Sequence, residues 1–83
     1  MTFEELEFYP RKALSGEQAR YIFPNGYGIS VINGSGTYSS KGTYEVAILY
    51  DGHLTYNTSL TDDVLSEQTP KDIDTILSTI EKW

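Results

Sequence analysis

Three groups of residues in the 83-residue chain carry side chains able to do chemistry. His53 is the single histidine and stands two positions after Asp51. A Ser-His-Asp site needs a nucleophile held against the imidazole and an acid that orients it. Asp51-Gly52 reads as a hairpin turn, where both side chains point to water, so His53 is expected on the surface opposite Tyr50. Asp62 and Asp63 follow Thr61, with Glu67 nearby. Hard cations need several converging oxygens. This spacing is not that of an EF-hand, and the acids equally suit a capped turn, so a structural or solvated role is expected. Glycines cluster in Gly26-Tyr27-Gly28 and Gly34-Ser35-Gly36. Both lack the third glycine of the dinucleotide fingerprint, and the first sits in a hairpin rather than between a strand and a helix. There is no cysteine, which removes disulfides, thiolate metal sites and a Cys nucleophile and fits a reducing compartment. The expectation is a protein that is not an enzyme, with no catalytic residue, no cofactor and no metal.

Charge narrows the partners. The net charge is −6 and the pI near 4.5, and Arg11, Lys12, Arg20, Lys41, Lys71 and Lys82 are scattered. Phosphate neutralisation needs clustered cations, so no direct nucleic-acid binding is expected. Residues 59–83 hold six acids (Asp62, Asp63, Glu67, Asp72, Asp74, Glu81) against two bases. This is either a solubilising surface or a negative patch for a basic partner. The opening "MTFEELEFYP" is acidic and lacks the apolar core of a signal peptide, and no apolar run approaches membrane-spanning length. A cytoplasmic protein with no membrane association is expected.

The elements that would position these residues can be read from turn chemistry and periodicity. Eighty-three residues make a single domain, 1–83. Residues 1–17 read as an arm or a short helix, with Thr2 as N-cap, Glu5 at N3 and Pro10 as a stop. Residues 18–59 read as two β-hairpins. In "ARYIFPNGYGISVIN" the Asn25-Gly26 pair predicts a two-residue type I′ turn, which sets Ile22 against Ile29, Arg20 against Val31 and Tyr21 against Ser30. In "TYEVAILYDGHLTYNTSL" the Asp51-Gly52 pair sets Leu49 against Leu54, Ala47 against Tyr56, Tyr50 against His53, Ile48 against Thr55 and Val46 against Asn57. The strand over 43–50 is therefore apolar on both faces, which predicts a cover for each. "LTDDVLSEQ" reads as a turn with Val64 and Leu65 pinned to the core.

Residues 69–83 read as a helix. Thr69 is the N-cap, Pro70 stands at N1 and Asp72 at N3 completes a capping box, with Lys82 in the last turn. Ile73, Ile76, Leu77 and Ile80 form one apolar stripe. The fold class follows: α+β, a four-stranded antiparallel meander with the C-terminal helix packed on one face. A helix of roughly fourteen residues is only about 21 Å long, so it covers one face of a small sheet. The other face must meet solvent, the N-terminal arm or another chain.

Seven tyrosines are many for this length. Tyr21, Tyr44, Tyr50 and Tyr56 fall on strands, where aromatic residues pack well. Tyr27 and Tyr38 lie in or near turns, and Tyr38 shares the polar stretch Gly34–Thr43 with Lys41. Tyrosine is a favoured interface anchor. Tyr27, Tyr38 and Lys41 are therefore the candidate partner-binding residues.

The segment from Ala19 onward, with Phe23-Pro24-Asn25-Gly26-Tyr27-Gly28, Tyr44-Glu45-Val46-Ala47-Ile48-Leu49 and Leu60-Thr61-Asp62-Asp63-Val64 before a short acidic helix, resembles small uncharacterised proteins encoded by bacteriophages and prophages. The resemblance implies a phage accessory protein in the cytoplasm of a bacterial host and transfers no residue role. The expected function is non-enzymatic binding of another protein, such as inhibition of a host or defence factor. A self-associating module, such as a homodimer, is one alternative; a small metal-dependent enzyme using His53, Asp62 and Asp63 is another.

Overall fold

The structure, a computed structural model, describes residues 1–11, 15–34, 42–55 and 65–83. A 3-10 turn at Phe3–Glu5 precedes strands β1 (Tyr9–Pro10), β2 (Glu17–Ile22), β3 (Tyr27–Ile32), β4 (Tyr44–Tyr50), β5 (His53–Leu54) and β6 (Leu65–Gln68), and helix α1 (Pro70–Glu81) closes the order. All pairings are antiparallel. Strands β1 to β5 form a meander, and β6 returns to β4. Because β3 occupies one side of β4, β5 and β6 share the other side. β5 lies against Leu49–Tyr50 and β6 against Tyr44–Val46.

The class is α+β with a C-terminal helix, as the pattern predicts, but the sheet has six strands among the described residues rather than four. The additions come from stretches too short or too irregular to show alternation. β1 has two residues, one a proline. β6 was expected as a turn. It is bulged, with a register shift opposite Tyr44 and Val46 and with Glu67 at φ 58. Bulges of this kind erase the period-2 signal.

The first hairpin differs from expectation by one residue. Ile22 pairs with Gly28, Tyr21 with Ile29, Arg20 with Ser30 and Ala19 with Val31. Phe23 N donates to Tyr27 O (2.7 Å) and Gly26 N donates to Phe23 O (3.0 Å). These bonds close a three-residue loop, Pro24-Asn25-Gly26, in which Gly26 alone takes positive φ (91°). Pro24 is the cause. Its ring fixes φ near −65°, which suits the first central position of a type I turn, and it lacks the N–H that residue 24 would donate to Tyr27 O in a two-residue hairpin. Ile22 and Ile29 consequently stand on opposite faces. The turn of the second hairpin and its nearest pairs are as expected. Asp51 (φ 52) and Gly52 (φ 80) both take positive φ, Leu49 faces Leu54 and Tyr50 faces His53. Thr55 N donates to Ile48 O at 3.0 Å. Val46 pairs with Leu65 of β6 and not with Asn57, because the returning β6 takes that side of β4. The pairing expected for Tyr56, the Val64 anchor and Asp62-Asp63 lie outside the described residues.

Helix α1 starts as its sequence dictates. Thr69 N donates to Asp72 Oδ2 (3.0 Å) and Asp72 N donates to Thr69 Oγ1 (3.2 Å). Lys82 stands just past the last turn, at the C-cap. Ile73, Ile76, Leu77 and Ile80 are all buried, against Ala19, Phe23, Ile29, Val31, Val46 and Ile48 of the sheet. Each buried Ile or Leu contributes about 1.5–3 kcal/mol, so this face is where the stability of the described core lies. The N-terminal segment joins the helix on the same face. Leu6 enters the core, Phe3 and Phe8 pack on Tyr44 with ring centroids 5.2 and 5.6 Å away, and Phe3 N donates to Asp74 Oδ1 at 2.6 Å. Helix and arm thus cover one face together, and the arm does not serve the second.

Candidate functional site

Strand alternation sends every other side chain to the face away from α1. The register builds that face in rows. Ile22, Gly28, Leu49 and Leu54 make one row across four strands; Arg20, Ser30 and Ala47 make the next; Gln18, Ile32 and Glu45 make a third. Leu49 is only 2% exposed, yet Ile22 and Leu54 in the same row are 46% and 54% exposed. Arg20 reaches across the face, its Nη2 donating to Gly52 O at 3.1 Å. A shallow cleft of about 450 Å³ results, lined by Arg20, Ser30, Leu49, His53 and Leu54 among others.

The edge of β2 borders this face. Bonds from Phe23 N to Tyr27 O and from Asn33 N to Glu17 O show that odd-numbered residues of β2 bond to β3. The backbone groups of Arg20 and Ile22 therefore point to the opposite edge. β1 pairs only with Glu17 and Gln18. Before β1 the chain leaves the edge, because Phe8 turns inward to meet Phe3 (5.5 Å) and Tyr44. The aromatic packing of the arm is what leaves Arg20–Ile22 as an open edge among the described residues. Such an edge is a template for another strand.

Of the expected site residues, the structure describes Tyr27 alone. Tyr27 belongs to the helix-covered face and is half-buried. Its ring meets Tyr50 at 4.7 Å and stands edge-on to Trp83 at 4.9 Å. Tyr38 and Lys41 lie outside the described residues. Tyr21 and Tyr44 pack as strand tyrosines, Tyr21 edge-on to Phe23 at 4.9 Å. Sequence reasoning passed over Ile22 and Arg20 as surface-forming residues, because the one-residue register shift placed them with Ile29 and Val31. The Leu49–Leu54 pair was the available signal.

Chemistry is thin here. His53 is exposed beside Tyr50, with Asp51 in the turn. Among the described residues no three His, Asp or Glu side chains converge as a metal site needs. No helix among them is long and apolar enough to cross a membrane. The described acids of α1, Asp72, Asp74 and Glu81, belong to the helix side of the sheet, whereas Arg20 spans the centre of the other face. The chain matches no family model, no curated protein and no solved structure with which it was compared.

Proposed function

We propose that this chain is a non-enzymatic, phage-encoded accessory protein that binds another protein in the bacterial cytoplasm, using the outer sheet face and the open edge of β2. The observation that carries the reading is the row Ile22–Gly28–Leu49–Leu54, whose two ends are exposed apolar side chains beside a strand edge unpaired among the described residues. Exposed apolar side chains clustered on one face mark interaction surfaces. The edge adds main-chain groups for an extended partner segment, and alternate pockets on the face give it specificity. Arg20 favours an acidic residue in that segment. A small protein of this kind acts by occluding the surface it covers. The phage setting rests on the sequence resemblance.

The test is capture of partners from bacterial lysate with tagged protein, read by mass spectrometry. The expected result is one stoichiometric, salt-resistant partner that is lost with the double variant Ile22→Ser/Leu54→Ser and kept with Lys71→Ser on the helix side. Retention by the double variant would remove the outer face from the proposal.

A second reading, self-association, has its own observation. Arg20 on β2 and Glu45 on β4 flank β3 on one face, so a copy related by a two-fold axis along β3 would bring unlike charges together. Light scattering at micromolar concentration decides it: a dimer broken by Leu54→Ser assigns the face to a second copy, and a monomer removes this reading.

A further inference from the structure

Asn25 joins the first hairpin to the end of the helix. Its Nδ2 donates to Ile80 O (2.9 Å) and to Trp83 O (3.1 Å), while its Oδ1 accepts from Tyr27 N (3.0 Å). The last carbonyls of a helix have no partner within it. Ile80 O already accepts from Trp83 N (3.1 Å); the Asn25 amide adds a second donor there and gives one to Trp83 O, and only an amide offers two donors and an acceptor at once.

The next residue is Gly26. Asn-Gly is the sequence in which a backbone nitrogen most easily reaches the preceding side-chain carbonyl, because glycine carries no Cβ to block the approach. In that reaction Gly26 N gives up its proton and attacks Asn25 Cγ. The N–Cγ bond forms, the Cγ–Nδ2 bond breaks, and Nδ2 takes a proton and leaves as ammonia. Water then opens the cyclic imide at either carbonyl, giving aspartate or isoaspartate. Nothing is oxidised or reduced, and water is the only co-reactant.

In the folded protein both reacting groups are tied. Gly26 N–H is committed to Phe23 O at 3.0 Å, and the Asn25 amide is held by its three bonds. Ring closure requires the turn and the helix contact to open together. The product cannot restore the joint. Aspartate has no N–H for the carbonyls of Ile80 and Trp83, and it sets a negative charge at the negative end of the helix dipole. Isoaspartate also lengthens the backbone of a loop whose register depends on three residues.

We propose that Asn25 is a deamidation site guarded by the fold: opening of the hairpin–helix joint sets its rate, and conversion releases the helix end irreversibly. The experiment incubates the full chain at mildly alkaline pH, folded and in urea, and follows the tryptic peptide 21–41 by fragmentation mass spectrometry. Conversion at Asn25 should be on the order of tenfold or more slower in the folded protein, since it samples only the opened state. Ile80→Ala, which loosens the docked helix, should speed conversion of the folded form. Equal rates folded and unfolded would overturn the guarding. The species deamidated at Asn25, separated by its added negative charge on ion exchange and told by fragmentation from one deamidated at Asn33 of the second Asn-Gly pair, should melt at lower temperature than the parent. An unchanged melting temperature would overturn the release. Measuring the separated product directly keeps this second arm decisive even where Asn25→Asp fails to fold on expression.

Discussion

Ile22 folds across Gly28, so that its Cδ1 lies 2.6 Å from the place where any other residue at position 28 would carry a Cβ. The same Cβ would stand 2.5 Å from Tyr21 O, which is backbone and cannot rotate away. Gly28 is thus the residue that lets the outer row close over Leu49. Gly28→Ala should destabilise by about 1–3 kcal/mol, as overpacking does, read from urea unfolding. Gly52→Ala is the contrast. Open space surrounds Gly52 and only its φ of 80° opposes a side chain, so the loss should be about 1–2 kcal/mol with the outer face unaltered. A Gly28→Ala variant as stable as the parent would mean that Ile22 does not hold this position in solution.

Glu67 takes φ 58° in the bulge of β6 without being glycine. A left-handed backbone costs a side-chain-bearing residue about 1–2 kcal/mol. Its carboxylate accepts from Thr43 Oγ1 at 3.5 Å. Glu67→Gly removes the backbone strain and the side-chain contacts together, at the cost of the greater freedom of unfolded glycine, about 0.5–1 kcal/mol. A raised urea midpoint shows that the strain outweighs the contacts, and a lowered one that the contacts win.

Asp72 makes helix stability depend on acid. Its carboxyl is held below its ordinary value of 3.8, first by the Thr69 backbone N–H, then by the Thr69 side chain, with Lys71 adding attraction. A carboxyl depressed in the folded state contributes fully above its unfolded value and loses that contribution as pH falls through the folded value. The gap in urea midpoint between wild type and Asp72→Asn should therefore be widest near neutral pH and shrink below 3.8. A gap that stays constant through the acid range would show that the cap does not depend on this charge. Thr69→Ala should cost about 1 kcal/mol.

Tyr27, Tyr50 and Trp83 close the end of the sheet where the helix finishes, with Tyr27 in the middle. The edge-on Tyr27–Trp83 pair should give a coupling of about 0.5–1.5 kcal/mol in a double-mutant cycle with leucine at each position. Loss of near-ultraviolet dichroism on Tyr27→Leu should accompany it. Zero coupling, combined with lost partner capture by Tyr27→Leu alone, would return Tyr27 to the role of a binding residue.

Local rules made part of this fold readable. The i, i+3, i+4, i+7 spacing of Ile73, Ile76, Leu77 and Ile80 and the Thr69–Asp72 box specify α1 without reference to anything distant. Asp51-Gly52 likewise specifies its turn, because both residues tolerate positive φ and the strands on either side pair directly. The first hairpin was misread for a local reason: Pro24 outweighs Asn25-Gly26. The outer face was hidden by the consequence, since a slip of one residue exchanges the two faces of a strand.

The sequence alone determined an α+β chain with a capped C-terminal helix, a β4 strand apolar on both sides, and a net charge of −6. Only the tertiary structure decided which side of β4 became the core. Val46 and Ile48 on one side and Leu49 on the other are equally apolar, so alternation within β4 cannot choose. The choice is made across strands, where Ala19, Ile29 and Val31 align with Val46 and Ile48 and together match the width of the helix stripe. Phe3, Leu6 and Phe8 then fill the space beside the helix, and Asn25 fastens its end. Those contacts join residues far apart in the chain, and it is their joint burial that leaves Ile22 and Leu54 facing outward.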